Sequence, residues 1–159
     1  SYQTAVLAHA LALIRRDVLK LPAPDPDRCA VAALYHDASE ILTGDLPTPI
    51  KYYNPEIKTA YKQVERVAGE RLLNMLPPEL RASYEHDVLE DDEALAPIVK
   101  GADKLSAHIK CLEEQKAGNT EFDTAARQTW EAIQAMDRPE LNWFVEHCLG
   151  AFALNLDQL

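Results

Sequence analysis

The residues best suited to chemistry are His36 and Asp37, which are adjacent and are followed by Glu40. Imidazole nitrogens and carboxylate oxygens are common ligands of divalent metal ions. If this segment is a buried helix, a bare charge there would be very costly, and a shared cation is the simplest way to neutralise it. On a helix, Glu40 lies one turn beyond the pair, at roughly 5–6 Å, which suits a group that positions a water. The pattern therefore predicts a metal site with a carboxylate close to a reacting water.

A single helix is expected to carry these three residues. Asp25 or Asp27, on either side of Pro26, marks its start, and Gly44 marks its end. One face of this helix is apolar, formed by Val31, Leu34, Tyr35, Ala38, Ile41 and Leu42. The opposite face carries the polar group framed by small side chains. We therefore expect a helix that is buried on all sides.

The surrounding motif resembles that of a known enzyme family. Residues 36–40 read His-Asp-Ala-Ser-Glu, and residues 43–49 read Thr-Gly-Asp-Leu-Pro-Thr-Pro. This combination resembles the HD-domain metal-dependent phosphohydrolases, and more narrowly the bacterial 5'-deoxynucleotidases of the YfbR type. Further matching stretches are residues 6–11, 52–54, 102–103 and 110–114. A His-Asp pair alone is common by chance, whereas the longer combination is specific. The resemblance implies hydrolysis of 2'-deoxyribonucleoside 5'-monophosphates to deoxynucleoside and phosphate.

The resemblance also implies a set of metal ligands. In the family these are a histidine, then a His-Asp pair, then a distal aspartate. The pair corresponds here to His36 and Asp37, and the distal aspartate to Asp103. The family's first histidine would directly precede Ser1, so we expect the N-terminal part of the domain to be missing from this sequence. From spacing alone, Asp103 is equally consistent with pairing to a neighbouring lysine on a solvated face.

Two acidic residues are expected to act in catalysis. Glu40 is placed to orient or deprotonate the attacking water, and Asp45 to hold or protonate the 5'-oxygen of the leaving group; both are implicated in the family. Thr48, Lys51 and Lys104 are the candidate phosphate-binding residues. Asp45 is alternatively a turn residue that bonds its own backbone, and the lysines are alternatively surface residues.

The types of the candidate ligands do not determine which metal ion binds. A mixed imidazole and carboxylate set accepts Mn, Co, Zn or Fe. The resemblance favours Co or Mn, with Zn, Fe, Ni, Cu and Mg as alternatives. It implies one ion, because the histidines that hold a second iron in diesterase members of the superfamily have no counterparts here.

Composition excludes several other classes of protein. The 159 residues are 47% hydrophobic and 26% charged, which is typical of one globular domain rather than a disordered chain. No apolar run reaches the ~20 residues that cross a bilayer. A net charge of −10 disfavours binding to a nucleic-acid polymer but not to a mononucleotide. Three widely spaced cysteines favour free thiols in the cytoplasm over a disulfide framework.

Hydrophobic periodicity predicts an all-α fold. Strand-like alternation of valine and isoleucine is absent, and helical patterns cover residues 2–20, 27–43, 55–76, 91–117, 120–136 and 139–156. Pro97 falls in the first turns of the long helix, so its regular part is expected to begin there. Residues 79–84 are expected to form one short turn and residues 85–93 a solvated acidic loop. With the resemblance, this predicts a single HD domain over residues 1–159, with six to seven helices.

Two other functions are alternatives to deoxynucleotide hydrolysis. An HD hydrolase of deoxynucleoside triphosphates or guanosine polyphosphates would carry a basic cluster for the longer phosphate chain, which this acidic chain lacks. A non-catalytic HD-like binding module would lose such costly polar groups freely. The resemblance further implies a homodimer. The C-terminal aromatic residues Trp143, Phe144 and Phe152 fit a dimer surface or the protein's own core equally well.

Overall fold

The computed structural model describes residues 2–46, 54–90, 92–154 and 156–158, and its regular secondary structure within these ranges is helical. The α-helices are α1 Tyr2–Leu13, α2 Pro26–Tyr35, α3 Glu40–Thr43, α4 Pro55–Asn74, α5 Pro78–Leu89, α6 Ala96–Lys116, α7 Asp123–Met136 and α8 Pro139–His147. A π-helix, Ile14–Val18, follows α1, and 3₁₀ turns occupy Thr120–Phe122, Leu149–Ala153 and Leu156–Gln158. No strand occurs within those ranges, and seven of the helices have nine residues or more. The all-α prediction is confirmed.

The chain divides into two compact units, each with its own packing. The core unit comprises Tyr2–Ala33 and Glu93–Leu159, and the turn unit comprises Leu34–Asp92. This division does not test whether the chain is a single domain, so the single HD domain stays a prediction.

Helix α6 is the centre of the core unit. Helical periodicity predicts an inward apolar stripe here, and six of its residues are buried. They are Leu95, just before the helix, and Ile98, Val99, Ala102, Leu105 and Ile109; Leu112, at the end of the stripe, is partly buried. The helix begins at Ala96 with proline in its first turn, as predicted. At Gly101, a methyl group would meet side chains of Leu11, Met136 and Leu141 at 3.6–4.0 Å, which is ordinary contact. This glycine therefore sits among side chains rather than against another backbone.

The C-terminal aromatic residues serve the core. Phe144 is buried in the core cluster, and Trp143 and Phe152 are partly buried against it. The rings of Phe144 and Phe152 lie 6.4 Å apart. Of the two alternatives for these residues, the structure favours a core role.

A buried carboxylate joins the start of α8 to the π-helix. The side chain of Glu140 is 2% exposed and accepts hydrogen bonds from Arg15 Nη1 at 2.8 Å and from Arg138 Nε at 2.9 Å. Burial alone would raise the pKa of Glu140. Its own backbone N–H and the two guanidinium groups outweigh that effect and hold the pKa below the ordinary value of 4.5.

Replacing Glu140 with glutamine should therefore destabilise the protein, because two guanidinium groups lose their counter-charge. We expect a loss of about 3 kcal/mol in the free energy of unfolding at pH 7, towards the lower end of the range for a broken buried pair. Since the folded pKa is depressed, this contribution is complete above the unfolded pKa and disappears as pH falls through the folded pKa. Urea unfolding at pH 7, pH 4 and pH 3 measures the difference between wild type and variant.

A matched control is Glu146→Gln on the same helix, whose side chain is exposed. This substitution should change the free energy of unfolding by less than about 0.5 kcal/mol. A Glu140→Gln variant as stable as wild type at pH 7, or a difference that grows on acidification, would contradict the stabilising role of the carboxylate.

The turn unit is built on α4 and α5. The Asn54 side chain accepts a hydrogen bond from Ile57 N at 2.7 Å, and Pro55 occupies the first helical position, as the Asn-Pro pair predicts. Helix α5 runs for twelve residues, so the prediction of a short turn at 79–84 is wrong, and the predicted solvated loop at 85–93 is wrong for residues 85–89, which are helical. Asp87, within this acidic stretch, is buried.

Several apolar side chains of the turn unit remain exposed. On α4, helical periodicity predicts that Val64 and Val67 face inward, but both are exposed, Val67 to 63%, whereas Ala68, Gly69 and Leu73 are buried. A methyl group at Gly69 would lie 3.0 Å from the Leu89 side chain and 3.3 Å from the Val88 carbonyl, so this part of α4 packs tightly on α5. The buried stripe of α4 is thus displaced from the predicted one.

Helix α2 also differs from its prediction. Cys29 and Ala33 are buried, whereas Leu34, Ile41 and Leu42 are exposed, Ile41 to 76%. The expectation of a helix buried on all sides is therefore wrong, because small residues are buried while half of the predicted apolar stripe is exposed and the rest of it is half-buried.

None of the described helices combines the length and the apolar character needed to span a membrane.

Candidate functional site

The His-Asp pair lies in a tight turn rather than within a helix. Helix α2 ends at Tyr35, residues 36–39 form the turn, and α3 begins at Glu40. Hydrogen bonds from Ala38 N to Tyr35 O and from Glu40 N to Asp37 O, at 2.8 and 3.0 Å, span three residues instead of four. The continuous helix predicted up to Gly44 is therefore interrupted at the residues that carry the chemistry.

The two candidate metal ligands converge. His36 Nε2 lies 3.1 Å from Asp37 Oδ2, and the histidine side chain is 9% exposed while that of Asp37 is 44% exposed. Two donor atoms bound to one ion at about 2.1 Å and at 90–110° lie roughly 3.0–3.4 Å apart. The observed separation therefore fits a nitrogen and an oxygen that share a cation, with the carboxylate side open to solvent.

Glu40 is held close to this pair through the backbone. The hydrogen bond from its own N–H to Asp37 O places it on the same turn as the candidate ligands. Its side chain is half-buried at the first position of α3, and Ser39 before it is buried. The turn thus presents an imidazole and two carboxylates from five consecutive residues.

Asp45 follows a glycine in an unusual backbone conformation. Gly44 ends α3 with φ 71° and ψ 162°, a region that only glycine adopts readily. The Gly44 carbonyl accepts a hydrogen bond from the hydroxyl of Tyr61 on α4 at 3.1 Å. The Asp45 side chain is exposed immediately after this anchored peptide. The same α3 turn therefore presents Glu40 at its start and Asp45 just beyond its end.

An aromatic cluster lies on the other side of the turn, at the end of α2. The rings of Tyr35 and Tyr84 meet edge to face with centroids 5.8 Å apart. Burial raises the pKa of Tyr35, and Tyr84 and Asp87 raise it further, so the phenol stays neutral at physiological pH. The residue before His36 is therefore tied to α5.

The distal aspartate belongs to the core unit. Asp103 lies on α6, partly exposed, with Lys104 Nζ 3.3 Å from its Oδ2. From spacing alone, pairing with a neighbouring lysine is the alternative to metal binding by Asp103, and the structure shows such a contact. Within the ranges that the structure describes, no three His, Cys, Asp or Glu side chains form a ligand set. The assignment of Asp103 to the metal and of Lys104 to phosphate thus stays a prediction.

Two further predicted residues, Thr48 and Lys51, lie outside the described residues. The predictions that they line the phosphate pocket are therefore untested.

Sequence reasoning missed Tyr61 and the cluster of Tyr35, Tyr84 and Asp87. Helical periodicity predicts that Tyr61 faces inward from α4, but it does not predict that the hydroxyl reaches the Gly44 carbonyl. A turn at 79–84 and a solvated loop at 85–93 predict no contact of Tyr84 or Asp87 with Tyr35.

Comparison with known proteins identifies relatives along the whole chain. A family model described as 5'-deoxynucleotidase YfbR-like matches residues 1–152. A 5'-deoxynucleotidase of Erwinia tasmaniensis is 47% identical, over all of this chain and 81% of its own length. Those of Vibrio parahaemolyticus and Shewanella oneidensis are 44% and 42% identical, each over all of this chain and 82% of their own length.

Proposed function

The chain belongs to the YfbR-like 5'-deoxynucleotidase family, and from this premise we propose that it is a metal-dependent phosphomonoesterase. Its substrates are 2'-deoxyribonucleoside 5'-monophosphates, and its products are a deoxynucleoside and inorganic phosphate. The observation that carries the proposal is the turn that holds His36 Nε2 and Asp37 Oδ2 3.1 Å apart, with Glu40 on the same turn.

The metal is one divalent cation, with Co or Mn as the first choices. His36 and Asp37 would hold it, with Asp103 as the expected further ligand from the chain. Such an ion neutralises phosphate oxygens and lowers the pKa of water. The donor set supports this proposal because imidazole with carboxylate suits these ions.

The proton transfers belong to the two acidic side chains. Glu40 accepts a proton from the attacking water as the new P–O bond forms. Asp45 donates a proton to the 5'-oxygen as the P–O bond to the nucleoside breaks, so the nucleoside leaves as an alcohol. Both residues flank the four-residue α3, which supports a part for both carboxylates at one site.

We further propose that the protein works as a homodimer in the cytoplasm and binds no nucleic-acid polymer. A net charge of −10 supports the last point. Free cysteines support a reducing compartment. The exposed apolar side chains of the turn unit, among them Val64 and Val67, offer a surface for self-association.

Phosphate release from matched deoxyribo- and ribonucleoside 5'-monophosphates tests the proposed function. Protein stripped of metal and then supplied with Mn or Co should release phosphate from the deoxy compounds, and stripped protein should not. Deoxynucleoside triphosphates and guanosine polyphosphates are included as competing substrates.

The alternatives predict different outcomes. Preferential hydrolysis of the longer phosphate chains would favour another HD-type nucleotide phosphohydrolase. Absence of turnover with every substrate and metal would favour a non-catalytic binding module and reject the proposal.

A further inference from the structure

We propose that Tyr61 is a positioning residue, which fixes the peptide between Gly44 and Asp45 and thereby aims the Asp45 carboxyl group at the leaving-group oxygen. The inference rests on the proposed function, because it assigns Tyr61 a part in the proton donation by Asp45. Its basis is the hydrogen bond from the Tyr61 hydroxyl to Gly44 O at 3.1 Å.

The Gly44 carbonyl controls where Asp45 points. A peptide unit is planar, so a hydrogen bond to the carbonyl oxygen fixes the orientation of the next N–H and Cα as well. Gly44, at φ 71°, lacks the steric restriction that a side chain would impose on its dihedral angles. The Tyr61 bond therefore restrains, from another helix, a peptide whose dihedral angles glycine leaves permissive, and its loss should widen the range of orientations open to Asp45.

Bonds within the described turn hold α3 itself, since Gly44 N donates to Glu40 O at 2.9 Å and Thr43 N to Ser39 O at 3.2 Å. Helix α3 has only four residues, and Ser39 at its N-cap makes no side-chain capping bond. Such a short helix is not stable alone. Within α3, the Thr43 hydroxyl lies 3.0 Å from Gly44 O, but it belongs to the same short helix. Tyr61, in contrast, projects from the twenty-residue α4 and lies within 3.5 Å of the Thr43 hydroxyl as well.

The expected defect of a Tyr61→Phe variant is specific to proton donation. A 5'-alkoxide is a poor leaving group and needs a proton as the bond breaks. A thiolate leaves without being protonated far more readily than an alkoxide, since a thiol such as that of cysteine is already acidic, with a pKa of about 8.5. A misplaced Asp45 should therefore slow the oxygen ester and spare an analogue in which sulfur replaces the bridging 5'-oxygen.

The experiment compares kcat and KM for thymidine 5'-monophosphate and its 5'-S-bridged analogue. Tyr61→Phe should lower kcat for the oxygen ester by roughly 10- to 100-fold, the effect of a misplaced catalytic group, with KM and kcat for the sulfur analogue unchanged. The matched control is Thr59→Val on the same helix, which removes a hydroxyl bonded to the carbonyl of Pro55 within α4, at 2.9 Å. This control should behave as wild type.

Asp45→Asn completes the test. It should show the same preference for the sulfur analogue, and Tyr61→Phe/Asp45→Asn should be no slower than Asp45→Asn alone, because both changes remove one function. Equal slowing of both substrates by Tyr61→Phe, or additive losses in the double variant, would overturn the positioning role.

A readout independent of turnover separates this inference from the proposed function. Tyr61→Phe should accelerate amide hydrogen exchange at residues 44–46, and Thr59→Val should not. Unchanged exchange rejects the inference about Tyr61 whatever the activity. An inactive wild-type protein, whose exchange nevertheless responds to Tyr61→Phe, rejects the proposed function and the catalytic part of the inference.

Discussion

Replacing Glu40 with glutamine should lower kcat for deoxynucleoside 5'-monophosphates by about 10²–10⁴-fold, the usual contribution of a general base. Glutamine keeps the size of the side chain and the backbone bond to Asp37 O, but it cannot accept a proton from water. Because Glu40 is not assigned as a ligand, the metal content of the variant should equal that of wild type. Steady-state kinetics and elemental analysis of the same preparation measure both quantities.

Glu131→Gln is the matched control for this substitution. Glu131 is exposed on α7, in the core unit, and its replacement should leave kcat unchanged. Wild-type turnover by Glu40→Gln would remove the residue from its assigned role. Loss of metal together with activity would instead make it a ligand.

The second large effect is expected from His36→Asn. Removing the imidazole takes a nitrogen donor from the cation and leaves Asp37 without its neighbour at 3.1 Å. A metal contributes several kcal/mol to the stabilisation of a transition state, so we expect a loss of about 10³-fold or more in kcat/KM. Binding also stabilises a folded protein, and wild-type Tm should therefore rise as Mn or Co is added. The variant should lose this rise.

His9→Asn tests whether the effect is specific to the turn. His9 lies on α1, with its Nε2 3.4 Å from Asp27 Oδ1, and its side chain is half-exposed. Its replacement should preserve both the metal-dependent rise in Tm and the activity. If His36→Asn kept the rise while His9→Asn lost it, the metal would have to be assigned to α1 instead.

The parts of the fold that sequence predicted well are those governed by local rules. The buried stripe of α6 follows from helical periodicity, and the start of α4 follows from a side-chain cap and a proline with no N–H to satisfy. At the candidate site, sequence predicted that His36, Asp37 and Glu40 lie close together, and the structure places them within five consecutive residues around one turn; their roles stay predictions. These signals are local in the sequence and do not depend on which helices pack against each other.

The failures have a common physical origin in tertiary contacts. Periodicity identifies an apolar stripe on α4 but does not say which face another helix covers, and Val64 and Val67 remained exposed. Residues 27–43 have an uninterrupted helical pattern, yet the backbone tightens after Tyr35 into bonds that span three residues. The Tyr61 hydroxyl bond joins positions 17 residues apart, a distance at which composition and spacing carry no signal.

The backbone at Gly44 has a consequence for how this protein tolerates sequence change. Among the residues that the structure describes, no atom lies within 4 Å of a methyl group placed there, so these neighbours leave room for a Cβ atom. The dihedral angles nevertheless disfavour every chiral residue by about 1–3 kcal/mol. Saturation mutagenesis would thus find a position that is spacious yet intolerant, and a method that scores variants by steric fit would misjudge it.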